Sequence, residues 1–266
     1  ISLNDVGDLT YPYESLDGQT QSIKNIFEGS DEISKKIIDA KHPMIIMGES
    51  LLKLNSANYL FNLIKGFLNK NNKFTDNWNP LNILSCDAST VGNFDLGIIN
   101  NDINLTKELK SNKFEIVYLV GQDDLELDKK DEFIIYQGSH GDKGAEIADI
   151  ILPGSAYTEQ DGHFTNLEGK IQKAYKASYP PGDAKEDWQI INELAEVMNN
   201  RKLFNDKDEL ESSMFNFLKL QKEKEIIDSK EQLNSNFQNE KLNIQVKDYY
   251  FSNVIARSSK TMIECN

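Results

Sequence analysis

With 266 residues, 39% hydrophobic and 27% charged, the chain can bury a core and has the composition of a soluble globular protein. A net charge of −14 repels nucleic acid phosphates and anionic head groups, which argues against direct binding to either. No apolar run approaches the ~20 residues of a membrane span, and the two cysteines, Cys86 and Cys265, lie far apart, without the four thiolates of an Fe–S centre or the close-spaced Cys/His pairs of a structural zinc.

In chain order, residues 1–30 read as irregular, punctuated by Gly7, Pro12, Gly18 and Gly29. Ser30 is the expected N-cap of a helix over 31–40, with Ile33, Ile37 and Ile38 on one face. HPMIIMGES reads as a strand ending at Gly48, and SANYLFNLIKGFLN as a helix with Leu60, Phe61, Ile64, Phe67 and Leu68 at helical spacing. LNILS (81–85), FEIVYLVGQDD, DEFIIYQG (131–138) and ADIILPG follow as strands. Strands apolar throughout predict burial on both faces, hence a doubly wound, mostly parallel α/β sheet. After Pro180-Pro181-Gly182 comes a helix with Ile190, Ile191, Leu194 and Val197 as its apolar stripe. The expected organisation is an α/β domain over 1–204, a charged helical segment or solvated linker over 205–241, and an extended tail over 242–266. That tail docks on the domain or on a partner, and LNIQVKDYY within it alternates like a strand.

Three motifs invite a catalytic or binding role. GSHGDKG places Gly138, Gly141 and Gly144 after a strand, but it is neither a dinucleotide fingerprint nor a Walker loop, and Asp142 and Glu146 oppose a phosphate. The glycines are read as serving a tight turn. MGES (47–50) lacks the frame of a nucleophile elbow, and Ser50 has no assigned base. His163 lies near Glu159, Asp161 and Glu168, a conceivable acid–base pairing. Asp161-Gly162 is also a turn signal, so the simpler reading puts His163 in a loop or edge strand. Cations are almost all Lys, with only Arg201 and Arg257 as arginines, which suggests a strongly AT-rich gene. The first residue is Ile1, so something is expected to precede it or to have been removed. No Arg-rich presequence or signal peptide is recognisable.

The stretch ADIILPGSAYTEQDGHFTNLEGKIQ (148–172) resembles the molybdopterin oxidoreductase superfamily. There a strand ending in Leu-Pro is followed by E-x-D-G-x-F-x-N-x-E and a basic-x-Q ending. The matching residues are Pro153, Gly154, Glu159, Asp161, Gly162, Phe164, Asn166, Glu168, Lys170 and Gln172. Within that superfamily, residues 8–18, 133–154, 180–191 and 246–265 are similar to the largest peripheral-arm subunits of mitochondrial respiratory complex I. The resemblance implies the later portion of a molybdopterin-enzyme fold kept without its chemistry. The family's Cys, Sec or Ser metal ligand matches no position, so no catalytic, cofactor-binding or metal residue is expected here. Asn166 and Glu168 are instead expected to hold the loop by bonds to backbone groups. Fe–S clusters and FMN are expected in partner chains: the N-terminal Fe–S-binding half of the same subunit type and other peripheral-arm subunits. The implied location is the matrix side of the mitochondrial inner membrane, with no span and no nucleic acid. The rival reading is an active molybdopterin- or nucleotide-dependent oxidoreductase module.

Overall fold

The computed structural model describes residues 1–98, 105–125, 127–223, 236–243 and 250–265. They fall into two compact units, Ile1–Asp87 with Glu225–Gln245 (unit 1) and Ala88–Lys224 with Val246–Asn266 (unit 2). This division crosses the expected boundaries at 204 and 241.

Unit 1 comprises α1 (Thr20–Phe27), α2 (Glu32–Asp39), β1 (Ile45–Gly48), α3 (Glu49–Leu52), α4 (Ala57–Lys70) and β2 (Leu81–Leu84). β1 and β2 pair in parallel, Ile45 beside Leu81 and Gly48 beside Leu84. Ile23, Ile26 and Phe27 of α1 meet Leu60, Ile64, Phe67 and Leu68 of α4 in one core. Phe27 stands edge-on to Phe67 at 5.4 Å. Two expectations are corrected here. Residues 1–30 contain α1, because the spacing of Ile23, Ile26 and Phe27 buries a helical stripe despite the flanking glycines. The N-cap of α2 is Asp31, not Ser30. Asp31 Oδ1 accepts from Ile33 N at 2.8 Å, Ser34 Oγ accepts from Asp31 N at 3.3 Å, and the Ser30 hydroxyl donates to Asn25 O.

The end of the expected linker is ordered against this core. Thr20 Oγ1 and Ser56 Oγ, both buried, donate to Gln238 O at 3.0 and 2.8 Å. The Glu240 carboxylate accepts from the amides of Asn55 and Ser56 and from Asn55 Nδ2, just before α4 begins. A carboxylate there also suits the positive end of the helix dipole.

Unit 2 comprises α5 (Thr90–Asp95), α6 (Leu105–Lys110), β3 (Ile116–Val120), β4 (Phe133–Gly138), α7 (Lys143–Glu146), β5 (Ile150–Pro153), β6 (Gly162–Thr165), β7 (Ile171–Ala174), α8 (Asp187–Asn199), α9 (Lys207–Glu223), α10 (Val254–Ser258) and α11 (Lys260–Glu264). β3, β4 and β5 form a parallel sheet with β4 in the middle. β6 and β7 form an antiparallel hairpin. The class is therefore mixed α/β with parallel sheets. On one face of the β3–β4–β5 sheet, Leu119, Ile134 and Tyr136 are buried under Leu125, Leu127, Ala145 and Ile147. On the other, Ile116 (62% exposed), Val120, Phe133 and Ile150 face outward. Burial on both faces, expected from the apolar strands, is corrected: an apolar strand needs a cover on each side, and among the described residues this face has only a partial one.

The stripe expected on α8 is also shifted. Ile190 and Ala195 are buried, whereas Val197 is 80% exposed. The tail carries two short helices; residues 244–249, most of the strand-like LNIQVKDYY, lie outside the described residues.

Glycines 138 and 144 make room for one ring. A Cβ on Gly138 would overlap the Tyr136 hydroxyl and the ring carbon that bears it, and one on Gly144 would lie 2.6 Å from Gln122 O and 2.9 Å from the Tyr136 ring. Gly141 has nothing within 4 Å. Gly144→Ala should therefore cost ~1–3 kcal/mol of stability by overpacking. Gly141→Ala should stay within ~0.5 kcal/mol of the parent. Urea unfolding of the two variants compares them directly.

Candidate functional site

The loop after β5 starts at a close backbone approach. Gly154 N donates to Gly138 O at 2.9 Å, and a Cβ on Gly154 would lie 3.2 Å from Asp187 Oδ1. Pro153, the last residue of β5, accepts from Lys185 N, and Ser155 N donates to Lys185 O. Glu159 turns back on its own loop, accepting from Ala156 N at 3.0 Å. Asp161 Oδ1 accepts from Lys176 N at 2.8 Å, while Oδ2 meets Lys207 Nζ at 3.3 Å. Gly162 opens β6. Asn166 organises the hairpin turn, its Oδ1 accepting from Glu168 N at 3.0 Å and Lys170 N at 2.9 Å. Glu168 joins only through that amide; its carboxylate is exposed and accepts no hydrogen bond from the described residues. Gln172 is exposed on β7 opposite Phe164. The His163 ring stands edge-on to Phe215 at 5.2 Å. Glu159 Oε2 and both Asp161 oxygens are engaged elsewhere, and among the described residues no hydrogen bond joins His163 to Glu159, Asp161 or Glu168.

Beneath the loop runs a polar network that sequence reasoning did not assign. Gln137 in β4 is wholly buried. Its Nε2 donates to Asp187 Oδ1 at 2.7 Å, and the Tyr118 hydroxyl donates to its Oε1. Gln160 Nε2 donates to Asp187 Oδ2 at 2.8 Å, and Asp187 N donates back to Gln160 Oε1 at 3.2 Å. One residue earlier, Glu186 accepts from Lys207 Nζ at 2.8 Å, Trp188 Nε1 at 3.0 Å and Lys176 Nζ at 3.1 Å. Burial alone would raise the Glu186 carboxyl; the bonds from Lys207, Lys176 and Trp188 outweigh it and hold the group below the usual glutamate range. The available signal was the Glu186-Asp187-Trp188 run within 180–191, which carried part of the family resemblance but no assigned role.

A third cluster lies at the carboxyl ends of β3 and β4. Arg257 of α10 bridges Asp123 and Asp142 at 2.7 and 2.8 Å. Burial, reinforced by Asp123 and Asp142, pushes the Tyr136 hydroxyl up to about 12. Among the described residues, no group of three or more His, Cys, Asp or Glu side chains could hold a metal ion.

The model of the family Molybdopterin oxidoreductase matches residues 1–197. The chain belongs to the molybdopterin oxidoreductase family. A second model, for the C-terminal part of the G-type NADH-ubiquinone oxidoreductase subunit, matches residues 209–265 of this family member. The chain is 35% identical to the NADH-ubiquinone oxidoreductase 75 kDa subunit of Reclinomonas americana, covering 100% of this chain and 40% of that protein. It is 36% identical to the mitochondrial 78 kDa subunit of Neurospora crassa, over 97% and 36% of the two chains. For the G-type NADH-quinone oxidoreductase subunit of Rickettsia bellii the identity is 37%, over 96% and 37%. The chain thus spans about two fifths of the length of these relatives.

Membership in this molybdopterin oxidoreductase family raises the question of the pterin, whose phosphate needs donors and whose metal needs a soft ligand. The carboxyl edge of the β3–β4–β5 sheet offers Asp123 and Asp142 instead, with its one guanidinium held between them. Cys86 belongs to unit 1, and its thiol is pushed up by desolvation and by the Glu49 carboxylate, away from the thiolate a metal takes. Among the described residues, those at this edge and Cys86 do not fit the group.

Two outcomes follow for the loop. Asn166→Ala should lower stability by ~1–2 kcal/mol, since two amides lose their acceptor, while Glu168→Ala should stay within ~0.5 kcal/mol; thermal unfolding separates them. Glu186 titrates lower in the folded chain than in the unfolded one. Its contribution is complete above the unfolded value, about pH 4.3, and is lost as pH falls through the folded value. Glu186→Gln should cost ~1–3 kcal/mol at neutral pH. The difference from the parent should shrink as the pH is lowered below about 4, read by urea unfolding across that range.

Proposed function

We propose that the chain is a non-catalytic structural part of the peripheral, matrix-side arm of NADH:ubiquinone oxidoreductase (respiratory complex I) at the mitochondrial inner membrane. The carrying observation is the succession of two family matches, molybdopterin oxidoreductase over 1–197 and the C-terminal model of the G-type subunit over 209–265, in a chain whose whole length aligns with 40% of an NADH-ubiquinone oxidoreductase 75 kDa subunit. The site supports a scaffolding role. Asp161, Asn166, Glu186 and Asp187 are committed to backbone amides and to partner side chains rather than held ready for a substrate. The exposed apolar face of the β3–β4–β5 sheet suits a chain that is covered in an assembly.

In this reading the Fe–S clusters and FMN belong to partner chains. The first partner is the N-terminal Fe–S-binding part of the same subunit type; other peripheral-arm subunits complete the set. Among the described residues no helix is long and apolar enough to cross a membrane, in keeping with attachment through protein contacts. Native-gel separation of solubilised mitochondrial membranes, with mass spectrometry of the NADH-oxidising band, tests the proposal. The chain is expected in that band together with the Fe–S and flavin subunits. Its absence from the band, or stoichiometric molybdenum or tungsten in the purified chain, overturns the reading.

A further inference from the structure

β3, β4 and β5 run parallel, so their carboxyl ends share one edge. In open α/β sheets that edge is where ligands bind. In unit 2 the loops following β3 and β4 bring two carboxylates to it, Asp123 and Asp142. The guanidinium of Arg257 lies between them. Its Nη2 donates to Asp123 Oδ1 at 2.7 Å, its Nε to Asp142 Oδ2 at 2.8 Å, and its Nη1 to Phe251 O at 3.2 Å. Each nitrogen of the planar fork therefore has an acceptor. The three charged side chains are only 23%, 19% and 20% exposed, well below an ordinary surface ion pair. Beside them the Tyr136 ring fills the space left by Gly138 and Gly144, and its hydroxyl donates to His140 O at 3.1 Å in the loop that carries Asp142.

The sequence around Arg257 presents it to this place. Asn253 Oδ1 caps α10 by accepting from Ala256 N at 3.0 Å, and Ser259 begins α11 directly afterwards. From this geometry we propose that the segment 250–265, which carries α10 and α11, is a strap across the carboxyl edge of the sheet, with Arg257 seated where an open α/β sheet takes the charged group of a ligand. The seat is specific for a guanidinium. Two carboxylates from two separate loops and one carbonyl meet three different nitrogens, a pattern that the single ammonium of lysine cannot reproduce. A phosphate in that seat would face the carboxylates of Asp123 and Asp142. The strap also neutralises two carboxylates that otherwise repel, so it ties the β3 and β4 loops together. None of this depends on assembly into complex I, so the two proposals stand or fall separately.

Amide hydrogen exchange in the full chain tests the strap. Arg257→Ala is expected to speed exchange at Ala256 and Ser259 about tenfold or more, the equivalent of one charge-assisted bond. Ile134 and Tyr136, in the core strand, should stay protected. Guanidinium chloride at tens of millimolar is expected to restore the protection in this variant, and sodium chloride at equal concentration is not. Arg257→Lys should behave like the alanine variant. Unchanged exchange in Arg257→Ala, full protection in Arg257→Lys, or equal action of the two salts overturns the proposal. If Arg257→Ala unfolds the unit, Asp123→Asn serves instead, since it keeps the bond to Asp142. A severalfold faster exchange at Ala256 and Ser259 is then expected, and no change overturns the strap.

Discussion

Gln137 sits at 0% exposure in the middle strand of its sheet. A side-chain amide buried there without partners costs ~1–3 kcal/mol for each unmet group, and the surroundings supply both. Tyr118 from β3 reaches its oxygen, and Asp187 at the start of α8 reaches its nitrogen. The second oxygen of Asp187 then holds Gln160 of the loop after β5. One buried amide thus requires two neighbouring strands, a helix start and the family loop to keep a common register. The same demand explains Gly154, since a side chain there would press on Asp187.

Charge is distributed with the same economy of purpose. The chain carries a net −14, yet several of its loop acids are matched to specific cations. Lys207 and Lys176 converge on Glu186, Lys207 also reaches Asp161, and Arg257 bridges Asp123 and Asp142. A catalytic acid or base must reach a substrate proton. These carboxylates instead hold backbone amides and neighbouring side chains in place. The loop that looks most like an active site in the sequence is thereby a brace joining the β6–β7 hairpin, α8 and α9.

The period of the apolar residues was enough to place β1 to β5, α4 and α8 near their observed positions, because each buries a stripe or strand that local spacing reveals. The family motif was equally readable, and within it Asn166 does local work in a turn, which leaves a local signature. Asn166 holds amides two and four residues away. What spacing could not show is which face of an apolar strand is covered, since Ile116 and Leu119 look alike in sequence but differ from 62% to 6% exposure. Nor could it choose between Ser30 and Asp31 as a cap, because the choice turned on Ser30 being drawn to Asn25.

The sequence by itself determined the α/β class, the positions of β1 to β5, and the family through residues 148–172. Only the tertiary structure decided which polar groups meet. Gln137 and Asp187 are 50 residues apart, Asp142 and Arg257 are 115, and Ser56 and Gln238 are 182. Hydrogen bonds and ion pairs act over a few ångströms and carry no period along the chain, so pairs at such separations leave no pattern in one sequence. They become visible once the core has brought the strands and helices together.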